Sequence, residues 1–209
     1  MTHVLIIDDH PIVRRGLKEI LQAEGDLKVM EASEGTEGLR LMKEHSFRLV
    51  ILDLDLPGTN GLDLLKEIRR SHKKTRVLVL SMYPEDQFAV RVLRAGASGF
   101  LSKDAAPEQL SKAIRKILHG STHISERTAD LLLQRLGDRQ DAHLHEKLSD
   151  REFQILCLLG QGKTTKEIAT TLTLSPPTVS TYRARILDKM HLRTTADLVK
   201  YAVQNKLAG

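Results

Sequence analysis

Short apolar runs alternate with amphipathic stretches along the first 120 residues of the chain. Five runs have the length and composition of buried strands, at residues 4–7, 28–32, 49–52, 77–80 and 99–101. Between and after these runs, apolar side chains recur about every 3.6 residues, the period of an α-helix, at residues 17–21, 39–42, 62–68, 90–93 and 110–118. Gly25, Gly96 and Gly120 stand where three of these helices are expected to end. Five strand–helix repeats predict a doubly wound α/β fold, with a five-stranded parallel sheet and helices on both faces.

From residue 148 onward the pattern becomes entirely helical. Helices are predicted at residues 151–159, around 165–172, from 176 to about 190 and at about 195–205. The second and third are joined by a turn at residues 173–175. Ser175 followed by Pro176 and Pro177 is a favourable helix start, because Ser caps free amides and Pro is tolerated in the first turn. Two helices joined by so short a turn predict a small all-α helix-turn-helix domain.

A polar segment separates these two regions. Ser125 is expected to cap a short helix that ends at Gly137, and the polar stretch 137–143 is typical of a flexible tether. Roughly ten flexible residues span an r.m.s. distance of about 18 Å. His143 and His145 are expected to be solvated parts of this tether rather than metal ligands. We therefore predict three parts: residues 1–120, a linker at 121–147 with a short helix, and residues 148–209.

Charge is distributed unevenly along the chain. Of the net charge of +5, residues 148–209 contribute +4, from nine basic and five acidic side chains. A small basic domain is a mild indication of nucleic-acid binding. The single cysteine, Cys157, lies among apolar neighbours and is expected in the core. With no apolar stretch of about 20 residues and no secretory signal, the expected location is the cytoplasm, without membrane contact.

Polar side chains follow four of the predicted strands. Asp8 and Asp9 follow the first strand, Asp53 the third, Ser81 the fourth and Lys103 the fifth. Open α/β sheets form their ligand crevices at the carboxyl ends of their strands. Carboxylates brought together there repel one another and need a cation, while a hydroxyl and an ammonium suit a phosphoryl group. We therefore predict that Asp8, Asp9 and Asp53 hold Mg²⁺, and that Asp53 is a nucleophile that forms an acyl phosphate.

This ordered set resembles the receiver domain of two-component response regulators, which has a flavodoxin-like fold. The matching segments are Ile7-Asp8-Asp9-His10-Pro11, Leu52-Asp53-Leu54-Asp55-Leu56-Pro57-Gly58, Leu80-Ser81-Met82 and Gly99-Phe100-Leu101-Ser102-Lys103-Asp104. The resemblance implies that a sensor histidine kinase phosphorylates Asp53. It also implies a switch in which the Ser81 hydroxyl moves toward the phosphoryl group and the Phe100 ring follows, although plain core packing also explains Phe100. Asp55 and Tyr83 then flank the phosphoryl group and tune its hydrolysis, or are ordinary surface residues.

The helix that begins at residue 176 has distinct faces when its residues are placed about 100° apart. The core face consists of Val179, Tyr182, Ile186 and Met190. The outer face presents small and hydroxyl side chains, which suit contacts with base edges, at Ser180, Thr181 and Ala184. The margins of this face carry cations that suit contacts with phosphates, namely Arg183, Arg185 and Lys189. Lys163 and Thr165, near the preceding helix, are expected to contact phosphates as well.

Residues 148–198 also resemble the LuxR-type helix-turn-helix. The matching residues are Leu148-Ser149-Asp150-Arg151-Glu152, Gly162, Lys166-Glu167-Ile168-Ala169, Leu172, Ser175, Thr178-Val179-Ser180 and Lys189-Met190. One departure is Tyr182, which stands where many relatives have His. Together the two resemblances indicate the NarL/FixJ class, and they imply a phosphorylation-dependent DNA-binding transcription regulator rather than an enzyme. The implied partners are a sensor histidine kinase, double-stranded promoter DNA, RNA polymerase and, after phosphorylation, a second copy of the chain.

Two other functions fit parts of the sequence. Asp53-Leu54-Asp55 is similar to the paired-aspartate motif of haloacid-dehalogenase-like phosphohydrolases, in which the second aspartate acts as acid and base. A Mg²⁺-dependent aspartyl-phosphate phosphohydrolase using Asp53 and Asp55 is therefore the main alternative, although it leaves Asp8, Asp9 and the helix-turn-helix unexplained. The second alternative is a protein-interaction module whose C-terminal helices bind another protein.

Overall fold

The chain forms two compact units. The computed structural model describes residues 2–25, 27–137 and 144–208. The division falls between Met1–Leu133 and Gln134–Gly209. Residues 138–143, which make up most of the predicted tether, lie outside the described residues.

A five-stranded parallel sheet is the centre of the first unit, as the apolar runs predict. The strands of this unit are β1 (Thr2–Ile7), β2 (Leu27–Ala32), β3 (Leu49–Leu52), β4 (Asp55–Leu56), β5 (Thr59–Asn60), β6 (Arg76–Ser81) and β7 (Gly99–Ser102). Five of them form the sheet in the order β2-β1-β3-β6-β7, and β4 pairs with β5 in a separate antiparallel hairpin. From β1 the chain continues to β2 at one edge of the sheet, and from β3 it continues through β6 to β7 at the other edge. The switch point of the sheet, where α/β folds bind ligands, therefore lies between β1 and β3.

Helices cover both faces of this sheet. They are α1 (Pro11–Ala23), α2 (Gly35–Glu44), α3 (Gly61–Ser71), α4 (Glu85–Arg94) and α5 (Pro107–Leu118), and a further helix, α6 (Glu126–Gly137), follows them in the chain. Val4, Ile6 and Ile51 pack with apolar residues of α1 and α5 on one face. Successive strand residues point to opposite faces, so Ile7 points the other way, toward Gly38 of α2. A Cβ at Gly38 would lie 2.5 Å from the Ile7 side chain, so only glycine allows α2 this close.

The segment after β3 folds back as a small hairpin that apolar periodicity does not predict. Pro57 and Gly58 form its turn, and Gly58 has the positive φ of +68° that glycine adopts readily. Asn60 then caps α3, because its side chain accepts hydrogen bonds from two amides of the first turn. Gly61 lies directly against the backbone of the segment that follows Asp53: a Cβ there would lie 2.4 Å from Leu54 Cα. The hairpin therefore fixes the backbone on the carboxyl side of Asp53.

The short helix predicted after Ser125 is present as α6. The Ser125 hydroxyl accepts a hydrogen bond from the Thr128 amide at 3.0 Å, so Ser125 is the predicted cap. The predicted helix ends are confirmed at Gly25, Gly96 and Gly120, whose φ angles are +120°, +99° and +92°. Glycine adopts these left-handed conformations at little cost, which lets the chain leave each helix sharply.

The second unit is all-helical, as predicted. A 3₁₀ turn at Leu144–Lys147 precedes α7 (Asp150–Gly160), α8 (Thr165–Thr171), α9 (Pro176–Met190) and α10 (Thr195–Gln204). The turn between α8 and α9 contains Thr173 with a φ of +51°, and Ser175 caps α9 through the Thr178 amide. Cys157 is fully buried, which confirms the prediction of a core cysteine.

One expectation about the linker is wrong. His145 is not a solvated tether residue but is 4% exposed. Its ring packs against those of Phe153 and Tyr201, and its Nδ1 lies 2.9 Å from the Tyr201 hydroxyl. The second unit therefore begins before α7. His143, the other histidine of the predicted tether, lies outside the described residues.

Within the described ranges, none of the helices combines the length and the apolar character that crossing a bilayer requires.

The contact at Gly61 yields a stability prediction. Gly61→Ala places a methyl group 2.4 Å from Leu54 Cα and 2.7 Å from Asp53 O, and backbone atoms cannot move aside as a flexible side chain does. We expect the free energy of unfolding of the first unit to fall by about 2–3 kcal/mol. The measurement is a urea titration of the full chain, followed through the NMR amide signals of β1 and β3.

A matched control is Gly16→Ala within α1, where a Cβ would meet nothing within 4 Å. This substitution should stabilise the first unit by about 0.5–1 kcal/mol, because Ala favours the helix more than Gly does. Equal effects of the two substitutions would contradict the packing argument.

Candidate functional site

Two nearly fully buried carboxylates lie side by side at the switch point of the sheet. Asp8 follows β1 and Asp53 follows β3, and they are 2% and 1% exposed. The Asp53 amide donates a hydrogen bond to the Ile7 carbonyl at 2.9 Å, which continues the pairing of β3 with β1. The sheet itself therefore holds Asp53 beside Asp8.

Lys103 supplies the positive charge between these carboxylates. Its ammonium lies 2.6 Å from Asp53 Oδ2 and 2.8 Å from Asp8 Oδ2, and its side chain is 7% exposed. Lys103 follows β7, and its amide donates to the Ser81 carbonyl at 2.9 Å. The structure thus brings together the predicted residues Asp8, Asp53 and Lys103 from three strand ends.

Burial dominates the electrostatics of this site. Burial raises the pKa of Asp53 to about 6, although the neighbouring Lys103 ammonium acts in the opposite direction. Burial alone would lower the pKa of Lys103, but the carboxylates of Asp53 and Asp8 hold it above its ordinary value. The buried environment therefore disfavours the ionised form of Asp53, and added positive charge would stabilise that form.

The acidic cluster extends to Asp9 and to His10, a residue whose role the sequence pattern does not predict. Ligand atoms of Asp8, Asp9, His10 and Asp53 all lie within 4.8 Å of one another. His10 Nδ1 lies 2.7 Å from Asp9 Oδ1 and 3.1 Å from Asp8 Oδ1. The three carboxylates form an oxygen-rich donor set of the kind that Mg²⁺ prefers, so the residues present fit that ion. The nitrogen of His10 is a poorer ligand for it.

The predicted switch residues lie in the sheet. Ser81 and Phe100 are 0% and 3% exposed, and the Ser81 hydroxyl accepts a hydrogen bond from the Tyr83 amide at 3.2 Å. Tyr83 is not a surface residue: it is 6% exposed, and its ring stacks on Phe88 with 4.3 Å between centroids. Its hydroxyl donates to Asp55 Oδ1 at 2.8 Å. Tyr83 therefore connects α4 with the hairpin that follows Asp53.

In the second unit, α9 presents the predicted outer face. Val179, Ile186 and Met190 are buried, as expected of its core face, whereas Tyr182 is half-buried. On the outer face, Thr181, Ala184 and Arg185 are exposed. Ser180 and Arg183 are half-buried at its margins. Near the start of α8, Lys163 and Thr165 are also half-buried. The Arg185 guanidinium lies 5.8 Å from the centroid of the Tyr182 ring. An exposed strip of small side chains with adjacent cations is the surface that this helix offers.

Lys189 has a partner that the helical pattern does not reveal. Its ammonium lies 2.7 Å from Oε2 of Glu152, which is 2% exposed. Glu152 also closes the capping box of α7, where its carboxylate accepts from the Ser149 amide. Burial alone would raise the pKa of Glu152, but the hydrogen bonds from Lys189 and Ser149 hold it below its ordinary value. Lys189 thus ties the C-terminal end of α9 to the start of α7.

Comparisons with known families cover both units. The model described as "Response regulator receiver domain" matches residues 4–115, and the one described as "Bacterial regulatory proteins, luxR family" matches residues 146–202. The chain belongs to the response regulators that join a receiver domain to a LuxR-type DNA-binding domain, the NarL/FixJ class. The doubly wound parallel sheet followed by a helix-turn-helix is the fold predicted from the sequence.

Individual relatives match over almost their whole length. Transcriptional regulatory protein LiaR of Bacillus subtilis (strain 168) is 36% identical over 211 residues, which cover 100% of both chains. The structure of RcsB from Salmonella enterica serovar Typhimurium bound to promoter P1flhDC, in the presence of the phosphomimetic BeF₃⁻, is 28% identical with a TM-score of 0.60, covering 96% of this chain and 97% of that chain. A structure of two RcsB dimers bound to two parallel DNAs is 27% identical with a TM-score of 0.61, covering 97% and 98%. The chain is therefore similar to DNA-binding regulators along its length.

The raised pKa of Asp53 predicts that this residue destabilises the protein when no divalent cation is bound. An unfolded Asp has a pKa of about 3.9, against about 6 in the folded chain, so the stability of the folded state falls as the pH rises from about 4 to about 6. Asp53→Asn has no ionisable group at this position, so it should not show this decrease in stability with rising pH. We expect it to raise the free energy of unfolding of the first unit by about 2 kcal/mol at pH 7.5, with little gain at pH 4.5.

The measurement is a urea titration in EDTA at both pH values, followed through the amide signals of β1 and β3. Asp104→Asn, which changes an exposed carboxylate in the same unit, is the control and should change little. A loss of stability in Asp53→Asn at pH 7.5 would contradict the argument.

The ion pair between Lys189 and Glu152 predicts a stability effect in the second unit. Lys189→Met keeps the aliphatic stem but leaves the buried carboxylate with only its capping hydrogen bonds. We expect the second unit to lose about 1–2 kcal/mol at pH 7. Because the ion pair needs ionised Glu152, the difference should shrink as the pH falls below about 4.

Urea titrations followed through the amide signals of α7 and α9 measure this effect. Lys166→Met, on the exposed side of α8, is the matched control. Equal stabilities of the two variants would show that the ion pair contributes nothing.

Proposed function

We propose that Asp53 is the phosphoacceptor of this response regulator and that its phosphorylation by a sensor histidine kinase controls binding to promoter DNA. The observation that carries the proposal is the position of Asp53. Its carboxylate is buried at the switch point of the sheet, 2.6 Å from the Lys103 ammonium and next to Asp8. We also propose three functional parts: a receiver at residues 1–120, a linker at 121–147 and a DNA-binding domain at 148–209, with the last residues of the linker, around His145, packed into the second unit.

Phosphoryl transfer to Asp53 requires little proton chemistry. A carboxylate oxygen of Asp53 attacks phosphorus while the bond to the donor breaks, and the leaving group keeps the electron pair. The Lys103 ammonium pairs with a phosphoryl oxygen, and the Asp55 amide, 3.1 Å from Asp53 Oδ1, holds the acceptor in place. In our proposal the chain takes part only in its own phosphoryl transfer and dephosphorylation.

The acidic cluster is the proposed Mg²⁺ site. Asp8, Asp9 and Asp53 would hold the ion, and its charge would offset that of the incoming phosphoryl group. His10, which already contacts Asp8 and Asp9, orients these carboxylates in our proposal.

Ser81 and Phe100 form the proposed switch. After phosphorylation the Ser81 hydroxyl donates to a phosphoryl oxygen, and the Phe100 ring moves into the space that this change leaves. Both side chains are buried, so neither moves without displacing its neighbours. The position of Ser81 beside Tyr83 and Lys103 supports this role.

The proposed DNA contacts lie on α9 and at the start of α8. Ser180, Thr181 and Ala184 face base edges, and a set of neighbouring side chains contacts phosphates: Arg183, Arg185, Lys163 and Thr165. In our proposal Lys189 acts mainly on Glu152 and adds positive charge at the margin of this surface. The RcsB complexes with promoter DNA and as dimers support promoter DNA as the ligand and a dimer as the binding species. A dimer gains affinity because both domains bind one DNA molecule, and RNA polymerase is the proposed next partner.

The role of Asp53 predicts a complete loss of labelling in one variant. Asp53→Ala should form no acyl phosphate from acetyl phosphate and Mg²⁺, because it lacks the carboxylate that attacks phosphorus in this proposal. Intact-protein mass spectrometry measures the added phosphoryl group. Asp104→Ala should be labelled like the wild type. Labelling of Asp53→Ala at the wild-type rate would refute the assignment.

The role of Arg185 predicts a change in the salt dependence of DNA binding. Removal of one phosphate contact lowers the slope of log K against log salt by about 1. We therefore expect Arg185→Ala, in the exposed strip of α9, to bind promoter-length DNA less tightly and with a flatter slope. Fluorescence anisotropy at several salt concentrations measures both. Arg40→Ala in α2 of the first unit is the control, and an unchanged slope in Arg185→Ala would rule out the contact.

A further inference from the structure

The first turn of α6 is held on α4 by one carboxylate. Glu85, in the first turn of α4, accepts hydrogen bonds from the hydroxyls of Ser125 and Thr128, the latter at 2.5 Å. Thr128 is 1% exposed, so this contact is shielded from water. A shielded hydrogen bond to a charged acceptor contributes more than an exposed one.

The same contact maintains the start of α6. Ser125 donates to Glu85 while its oxygen accepts from the Thr128 amide at 3.0 Å. The Glu85 carboxylate therefore sets the orientation of the capping hydroxyl, and its negative charge lies beside the amide end of α6, where an anion is favourable. Loss of this carboxylate contact weakens both the docking and the capping of the helix.

Glu85 lies close in sequence to the proposed switch residue Ser81 and to Tyr83. It follows Tyr83 by two positions and Ser81 by four. Tyr83 donates its amide hydrogen to the Ser81 hydroxyl and its own hydroxyl hydrogen to Asp55, and its ring stacks on Phe88. Phe88 is three residues after Glu85 in α4, which places the two on one side of the helix. Tyr83 thus connects the surroundings of Asp53 with the turn of α4 that carries Glu85.

The segment that precedes α6 has a second attachment, which does not involve α4. The His123 amide donates to the Ser98 carbonyl at 2.8 Å, and His123 forms a β-bridge with Gly99. This attachment uses backbone groups at the start of β7. The first turn of α6 can therefore separate from α4 while the segment around His123 stays in place.

We propose that Glu85 couples phosphorylation to the linker: its contacts with Ser125 and Thr128 hold α6 on α4, and a phosphoryl group on Asp53 weakens them. This inference rests on the proposed function of Asp53. The phosphoryl group adds negative charge next to Asp55 and draws the Ser81 hydroxyl, so both hydrogen bonds of Tyr83 are disturbed. Because Tyr83 packs on Phe88, α4 shifts and the geometry at Glu85 is lost. The start of α6 is then free to unfold or reorient.

Hydrogen exchange of the full chain tests this coupling directly. The probe is BeF₃⁻ with Mg²⁺, and the reporters are the Thr128 and Ala129 amides of the first turn of α6. We expect BeF₃⁻ to accelerate their exchange about tenfold, which is a coupling within the range seen between linked sites. The His123 amide should exchange at an unchanged rate. Unchanged or slower exchange at Thr128 and Ala129 with bound BeF₃⁻ would overturn the inference.

Linkage supplies a reciprocal test. If a phosphoryl mimic weakens the contact at Glu85, removing all or part of the contact must favour the mimic, by at most the same factor. Thr128→Val, which keeps the shape and removes the hydroxyl, should therefore bind BeF₃⁻ about threefold to tenfold more tightly. Glu85→Ala should behave in the same way, and either variant suffices if the other unfolds. The measurement is a BeF₃⁻ titration at fixed Mg²⁺ followed by ¹⁹F NMR.

Arg127→Ala is the matched control for these variants. It removes the ion pair with Asp86 at 2.7 Å, in which the Arg127 side chain is 71% exposed. Exposed ion pairs contribute little, so its BeF₃⁻ affinity should equal that of the wild type. Wild-type affinity in both Thr128→Val and Glu85→Ala would overturn the coupling, although Asp53 would remain the acceptor. Failure of the wild type to bind BeF₃⁻ would instead overturn the proposed function and this inference with it.

Discussion

The burial of Asp8 and Asp53 around the ammonium of Lys103 is the interaction on which the rest of the site depends. Two carboxylates at adjacent strand ends are unfavourable in a buried position unless a cation lies between them. Lys103 meets this requirement from a third strand end, with both contacts shorter than 3 Å. The hairpin after β3 and the close approach of Gly61 fix the backbone on the other side of Asp53. The sheet thus holds the proposed phosphoacceptor in an environment that favours added positive charge.

The second unit uses a buried carboxylate for a different purpose. Glu152 is as buried as Asp8, but its oxygens are occupied by the capping box of α7 and by Lys189. Its pKa is held below the ordinary value, whereas that of Asp53 is raised. A carboxylate whose hydrogen bonds satisfy its charge stabilises the packing of α7 and α9. At Asp53 the effect of burial on the pKa outweighs that of Lys103, and strongly shifted pKa values of this kind are common at functional sites.

Periodicity and capping residues predict the elements well, since strands of a covered parallel sheet are continuously apolar and helices begin at residues such as Ser125 and Ser175. The acidic site was predictable because strand order places the strand ends together. What the pattern misses depends on contacts distant in sequence. The strands of the small hairpin have two residues each and carry no period. Lys189 lies 37 residues from its partner, and His145 lies 56 residues from Tyr201, which buries it.

The most direct test of the account is the pKa of Asp53 itself, measured by ¹³C NMR of its side-chain carboxyl in the full chain without divalent cations. We expect a pKa near 6, about two units above that of an unfolded aspartate. We also expect this pKa to decrease clearly when Mg²⁺ is added, because positive charge favours the ionised form. An ordinary pKa near 4 that Mg²⁺ leaves unchanged would contradict the claim that burial sets the properties of this site.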